Sequence, residues 1–462
     1  MSQLAQHLGD LRSTFRSGKT RNYAWRLQQL KQIVKLLDEN EAALLETFRL
    51  DSGKAEITAL TGEILFVRAE AEYAITNLKK WMKPRKVRSP LFLWPIKSEI
   101  QPTPYGVVLI GVAWNFPLHL SLGPLTAAFA AGNTVLIKPP SMSPRFTALL
   151  EELVPKYLDT DAVRVYQPEG PDRDELLRQK YDLILYTGSY HVGRIVMRAA
   201  AEHLTPVLLE LGGKNPCVVA QDANLDAAAN RIVDAKFMNA GQVCVTVDYI
   251  LVHESVKAQL LAKLKEKVDY MFGDNPQQSL SYSRIINAHH FARLKGLLDC
   301  GKIVVGGGYD AEDNYIAPTV LSDVALDSPL MTEEIFGPLL PVQTYRTKAD
   351  VLEIMSRYGK PLCLYVFTET PAFADDLINS TESGSVGVNS LMLHMPNHKL
   401  PFGGVGESGM GQYHGKYGFE AMSHLRPVVR KPTWLDMKQL YPPIRAEEWP
   451  QRKKVLRWLL KK

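Results

Sequence analysis

The sequence predicts an α/β protein in which parallel strands alternate with helices. Three features carry this expectation. Short, densely apolar runs recur at GVVLIGVAW (106–114), TVLIKP (134–139), AVRVYQ (162–167) and LILYTG (183–188). Runs of this kind read as strands buried on both faces, as in parallel sheets. Between them lie segments long enough for crossover helices, and AAFAAG (127–132) ends at Gly132, a common helix stop. The alternation resumes over residues 209–395, where CVVA, YILVH, KIVVGGG, LLPVQTY and LCLYVF are further strand candidates. That makes a second α/β domain the natural expectation.

The flanking segments have a different character. Leu27, Leu30, Val34 and Leu37 recur at helical spacing within residues 20–50, and a second helix is expected over 54–80, reaching Trp81. Lys83–Pro104 then contains Pro84, Pro90, Pro95, Pro102 and Pro104, a density that excludes a helix interior. Phe92, Leu93 and Trp94 sit among these prolines, so a docked, extended arm fits better than a free linker. Leu400–Gly411 reads LPFGGVGESGMG and has no regular period. No internal repeat or low-complexity tract stands out.

Composition narrows the class. Hydrophobic residues make up 46% and charged residues 22% of 462, an ordinary globular balance with room for several domains. The net charge is +5, but Arg452–Lys462 alone contribute +6, leaving −1 for the remainder. Nucleic-acid binding therefore has no general electrostatic support. The four cysteines, Cys217, Cys244, Cys300 and Cys363, form no CxxC pair. That argues against a zinc site or a disulfide framework and suits a reducing compartment. The N-terminus has no apolar core of a secretory signal, and no run of 18 apolar residues occurs, so a cytoplasmic protein is expected. The tail from Lys431 ends with Val455, Leu456, Leu459 and Leu460 on one helical face, beside Trp458 and six basic residues. Such a segment can lie on an anionic membrane surface, dock on the body or stand in solvent.

The chemistry centres on KFMNAGQVCVTVD (236–248). Cys244 follows a Gly-Gln turn and precedes a Val-Thr-Val run that favours a strand. Gly241 permits a tight bend or a close backbone approach. A buried cysteine is commonly inert packing, and an unperturbed thiol is only about 3% thiolate at pH 7. A nucleophilic Cys244 therefore needs partners. Asn115 directly follows a strand, where its amide could donate to an oxyanion or cap the next turn. Glu210, in LLELGGKNP, lies between apolar residues and a Gly-Gly turn. Partial desolvation there would raise its pKa, as suits a general base, unless it is a solvated edge residue. Gly188-Ser189-x-x-x-Gly193 follows a strand and opens a helix, as a dinucleotide turn does, without being GxGxxG. Cys217 and Cys363 read as core, and His289-His290 as a helix surface rather than a metal pair.

Together AWNFPLHLSLGPLTAAFAAGNTVLIKP, TGSYHVG, LELGGKNP, FMNAGQVC, EEIFGP and LPFGGVGESGMG resemble the aldehyde dehydrogenase superfamily, in the family's order, across residues 105–411. The phrasing looks most like the class 3 group, which includes enzymes for aromatic and medium- to long-chain fatty aldehydes. The resemblance implies a Rossmann-type cofactor domain (1–80 and 102–208) and an α/β catalytic domain (209–395). It further implies an oligomerisation arm (81–101 and 396–430), followed here by the basic tail (431–462). A homodimer is implied as well. Cys244 then matches the nucleophile, Glu210 the general base, and Asn115 an oxyanion donor alongside the Cys244 backbone N–H. Lys138 and Glu334 match residues that hold cofactor ribose groups, and Phe336 the ring beside the nicotinamide ribose. Gly188 and Gly193 match the phosphate-side turn, with Trp114, Thr187 and Ser189 beside the cofactor.

One departure concerns the cofactor. Where the family often has a glutamate for the adenosine 2′-hydroxyl, this chain has Ser141. A glutamate would repel a 2′-phosphate and a serine would not, so use of NADP as well as NAD is expected, with Arg145 adding charge if it turns inward. Two alternatives are a coenzyme A-acylating dehydrogenase, which typically lacks the glutamate matched by Glu210, and a silent binding protein on the same fold.

Overall fold

The apolar runs become two sheets in the computed structural model, which describes residues 2–90, 93–168, 172–435, 441–443 and 445–460. The first sheet has six strands, in the spatial order Gly409–Met410, Val207–Leu211, Leu183–Gly188, Val107–Gly111, Thr134–Lys138 and Val163–Val165. All neighbours are parallel except the first pair. Val107–Gly111 is buried throughout, because helices cover both faces. The chain builds outward from this strand on one side, then returns to its other side at Leu183–Gly188. That reversal opens a crevice at the carboxyl ends of the two strands, the place where such sheets bind ligands.

The second sheet orders Lys302–Val305, Thr319–Ser322, Leu339–Tyr345, Tyr249–His253, Pro216–Val219, Cys363–Phe367 and Ser385–Val388. Only its first pair is antiparallel. All five strand candidates of this half are present. Val207–Leu211, which carries Glu210, belongs to the first sheet, so the chain crosses between sheets at residues 212–215.

The proline-rich arm is extended, as its composition requires. Arg85–Val87 and Lys97–Pro104 pair antiparallel, and Ser423–Arg430 joins the other side. Pro102 and Pro104 lie beyond Ile100, the last residue paired to Arg85–Val87. They therefore face an open edge where a missing N–H costs nothing. Phe92, in the same arm, lies outside the described residues.

At the N-terminus, Gln3–Ser17 packs on the first sheet, and Tyr23–Ser52 packs outside it on the helices Leu65–Trp81, Pro117–Ala131 and Pro144–Tyr157. A π-helical turn at Leu60–Ile64 then points Glu63 inward. The tail forms a helix, Trp449–Leu460, whose Val455 and Trp458 are 51% and 73% exposed. The side chains of Leu459 and Leu460, and Lys461 and Lys462, lie outside the described residues. No described helix is long and apolar enough to cross a membrane.

Candidate active site

The crevice of the first sheet is a cavity of about 460 Å³, lined among others by Trp114, Lys138, Ser141, Thr187, Gly188 and Ser189. A second cavity of about 310 Å³ adjoins it and holds Asn115, Glu210, Cys244, Glu334 and Phe336. The two share Ala113, Trp114, Thr187–Ser189 and His290 along their common wall. Residues far apart in sequence, 115, 210 and 244, thus meet in one pocket that opens on a dinucleotide-sized cleft.

Each side chain is placed by its local structure. Asn115 follows Val107–Gly111 and is buried; its Nδ2 donates to Gln242 O at 3.1 Å, which ties it to the cysteine loop. Its own carbonyl accepts from Lys54 Nζ at 2.7 Å. Asn115 does not cap the following helix, Pro117–Ala131. Glu63 does so, accepting from Leu118 N and His119 N at 3.0 Å each, while pairing with the buried Lys54.

Glu210 is 4% exposed, opposite Thr187 on one side and Gly409 on the other. Neither carboxylate oxygen has a hydrogen-bond partner in the structure. Burial pushes its pKa well above the usual carboxylate range. The solvated-edge alternative is therefore excluded. Gly409 has φ +138°, and a Cβ there would stand 2.0 Å from Leu209 O, so only glycine lets this segment close on the Glu210 strand.

Cys244 is half-buried. Burial, then the charges of Glu334, Cys363 and Glu210, push its thiol upward. The strand expected for Val245–Val247 is absent; these residues turn, and the strand starts at Tyr249. Side chains from elsewhere take the carbonyls that a ladder would use. Asn215 Nδ2 donates to Cys244 O at 2.7 Å and Thr246 O at 2.9 Å, and Tyr365 Oη donates to Val245 O at 2.5 Å. The Gly241 backbone does make a close approach, but to protein: a Cβ there would lie 2.1 Å from Gly337 O.

The EEIFGP segment is fixed from below. Asp248 accepts from Ile335 N at 3.0 Å and pairs with Lys214, which also donates to the carbonyls of Leu330 and Glu333. Phe336, held at φ +46°, meets Trp114 edge-on at 5.4 Å. Glu334 lies against Gly212 and accepts from the Gly213 backbone; burial and then Asp248 push it up to about 8.

Two expectations need correction. Gly193 does not line the cleft: it lies inside the helix Tyr190–Ala201, where a Cβ would meet Leu211 at 2.7 Å. Its role is close helix–strand packing. His290 is not merely helix surface. Its ring lines both cavities and lies 5.5 Å from that of Trp114. Arg145 is exposed and outside the lining, its backbone N–H donating to Asp51. Lys54 and Glu63 give no signal in the sequence, since a lysine after a helix and a glutamate within one look like solvated surface. Among the described residues no cluster of side chains suits a metal ion.

The cleft fits a dinucleotide. It sits at the sheet's switch point, faces the N-terminus of Tyr190–Ala201, and contains the buried Thr187 hydroxyl, which has no partner in the structure. A thiol in the adjoining pocket makes this the site of a thiol-bearing dehydrogenase. Comparison with known proteins agrees. The Aldehyde dehydrogenase family profile matches residues 7–428. "Aldehyde dehydrogenase family 3 member A2" of Rattus norvegicus is 44% identical over 91% of this chain and 87% of its own. "Aldehyde dehydrogenase, dimeric NADP-preferring" of Canis lupus familiaris is 42% identical over 97% of this chain and 99% of its own. A solved structure of Staphylococcus aureus AldH in its substrate-bound state superposes with a TM-score of 0.96, at 39% identity and full coverage of both chains. The chain belongs to the aldehyde dehydrogenase family. Its activity is the NAD(P)-dependent oxidation of aldehydes.

Proposed function

We propose that Cys244 is the nucleophile of this oxidation and that Glu210 activates the hydrolytic water. The observation that carries the reading is the joint presence of Cys244, Glu210 and Asn115 in one pocket opening on the dinucleotide cleft. Cys244 Sγ, its proton released to solvent, adds to the aldehyde carbon and forms the C–S bond. Asn115 Nδ2 and the Cys244 backbone N–H hold the oxyanion. The nicotinamide, when bound, accepts the hydride. The thioester left on Cys244 is then hydrolysed by water whose proton Glu210 takes, releasing the acid. A buried, unpartnered Glu210 supports hydrolysis over transfer to coenzyme A. In the cleft, Lys138 and Glu334 hold ribose hydroxyls, and Trp114, Phe336, Thr187, Gly188 and Ser189 line the dinucleotide's path. Cys244→Ala should lower kcat/KM by about 10⁴-fold or more with an unchanged fold. Retained aldehyde turnover would remove the mechanism.

The finer assignments belong to the same reading. Substrates are aromatic and medium- to long-chain aliphatic aldehydes. NADP serves alongside NAD because Ser141 lines the cleft where a carboxylate would repel the 2′-phosphate. The domains divide as cofactor-binding, catalytic and arm, and the arm pairs two subunits. The exposed Val455 and Trp458, among basic residues, make residues 452–462 a contact for anionic membranes. Light scattering should give a dimer mass. Anionic liposomes should float the full chain but not a form lacking 452–462, and equal flotation would discard the tail's role.

A further inference from the structure

Cys363 takes no part in the reaction above, yet it is tied closely to Cys244. The Asn215 amide joins them: Oδ1 accepts from Cys363 N at 2.9 Å, and Nδ2 donates to Cys244 O at 2.7 Å. The backbones of the two cysteines therefore hang from the two atoms of one amide group. A second tie follows alongside, where Tyr365 Oη donates to Val245 O at 2.5 Å. The thiols also sense each other. The charge of Cys363 is among those that push Cys244 upward, and Glu210 acts on both.

Cys363 has its own small cluster. Its Sγ lies 3.2 Å from Ser385 Oγ and 3.6 Å from His394 Nε2, and those two are 3.1 Å apart. Burial lowers His394 to about 4, so at neutral pH its ring is uncharged. Cys363 is fixed at the start of a strand, whereas Cys244 sits in a turn.

We propose that Cys363 is a resolving thiol for Cys244, so that oxidation by a hydroperoxide ends in a Cys244–Cys363 disulfide instead of irreversible loss. In the first step the Cys244 thiolate attacks the peroxide; the O–O bond breaks, an S–O bond forms, and an alcohol leaves, giving the sulfenic acid. In the second, Cys363 Sγ attacks Cys244 Sγ as its proton passes to the departing oxygen. The S–S bond forms, the S–O bond breaks, and hydroxide takes up the proton as water. Two equivalents of an external thiol return both cysteines to the reduced state. The inference rests on Cys244 being the reactive thiol. Because burial pushes both thiols up, oxidation is slow at neutral pH and quickens as pH rises.

The test uses the full chain, tert-butyl hydroperoxide, and mass spectrometry of unreduced, alkylated digests. The expected result is a linked pair of Cys244 and Cys363 peptides, with activity falling about tenfold or more and returning on dithiothreitol. Cys363→Ala and Cys363→Ser should match the wild type before treatment, lose activity at a similar rate and fail to recover, with Cys244 found as sulfinic acid. Equal recovery in the variants overturns the proposal. So does wild-type enzyme that keeps its activity, or a disulfide that uses Cys217 or Cys300 instead. If Cys244→Ala kept its turnover, the nucleophile assignment would fail, a result distinct from any of these.

Discussion

Two buried glutamates flank the junction at residues 114–117, and they are treated in opposite ways. Glu63 is 0% exposed and fully engaged, with Lys54 on one oxygen and two backbone N–H groups on the other. Glu210 is 4% exposed, and neither of its oxygens has a partner in the structure. A carboxylate with its lone pairs satisfied is scaffold: it caps a helix and steadies the lysine beneath Asn115. A buried carboxylate left without partners costs stability. Folding alone gives no reason to keep one there, and a site that must receive water and protons does. The contrast separates structure from chemistry more cleanly than residue type or burial does.

Substitution should break the pair in opposite directions. Glu210→Gln should have the larger effect on turnover, about 10²- to 10⁴-fold in kcat, with a rapid burst of reduced cofactor and a stalled thioester. Its effect on stability should be favourable. The folded pKa of Glu210 is raised, so the native state holds that proton to higher pH than the unfolded chain does. Stability from this group is complete below the unfolded pKa and is lost as pH rises through the folded one. The gain in Tm for Glu210→Gln should therefore grow with pH, and wild-type turnover should climb through the same ionisation. A variant with normal kcat, or with a Tm that falls as pH rises, would contradict this.

Lys54→Met should do the reverse. It strands Glu63 in the interior and should cost about 3–5 kcal/mol, read as a lower urea midpoint. An unchanged midpoint would mean the ion pair is not structural. A third carboxylate, Ser141→Glu, extends the comparison to the exposed end of the cleft. There it should lower kcat/KM with NADP about tenfold relative to NAD, since solvent screens the repulsion. Equal loss with both cofactors would show that Ser141 does not face the 2′-position.

Much of this was legible in the chain itself. The strands of both sheets announce themselves as apolar runs, because a strand covered on both faces has no polar alternation to disguise it. Asn115, Glu210 and Cys244 are visible as candidates through the Gly, Pro and apolar residues around them, and it is the resemblance of their motifs to the family that groups them. What failed to show is whatever depends on partners distant in sequence. Val245–Val247 has a strand's composition, yet Asn215 and Tyr365, 30 residues before and 120 after, take its carbonyls. Gly193 resembles a phosphate glycine, but Leu211 is the reason for it. Lys54 follows a helix and Glu63 lies within one, places where charge ordinarily means solvent, and only the inward π turn reveals otherwise.

The antiparallel closure of Gly409–Met410 on the Glu210 strand has a consequence for synthesis. Cys244 and Glu210 leave the ribosome with nearly half the chain still to come, yet the edge beside Glu210 stays bare until residue 410 emerges. A nascent or prematurely terminated chain therefore carries both side chains without the segment that closes the Glu210 edge. The site around Glu210 is completed only by the last ninth or so of the chain, roughly residue 410 onward.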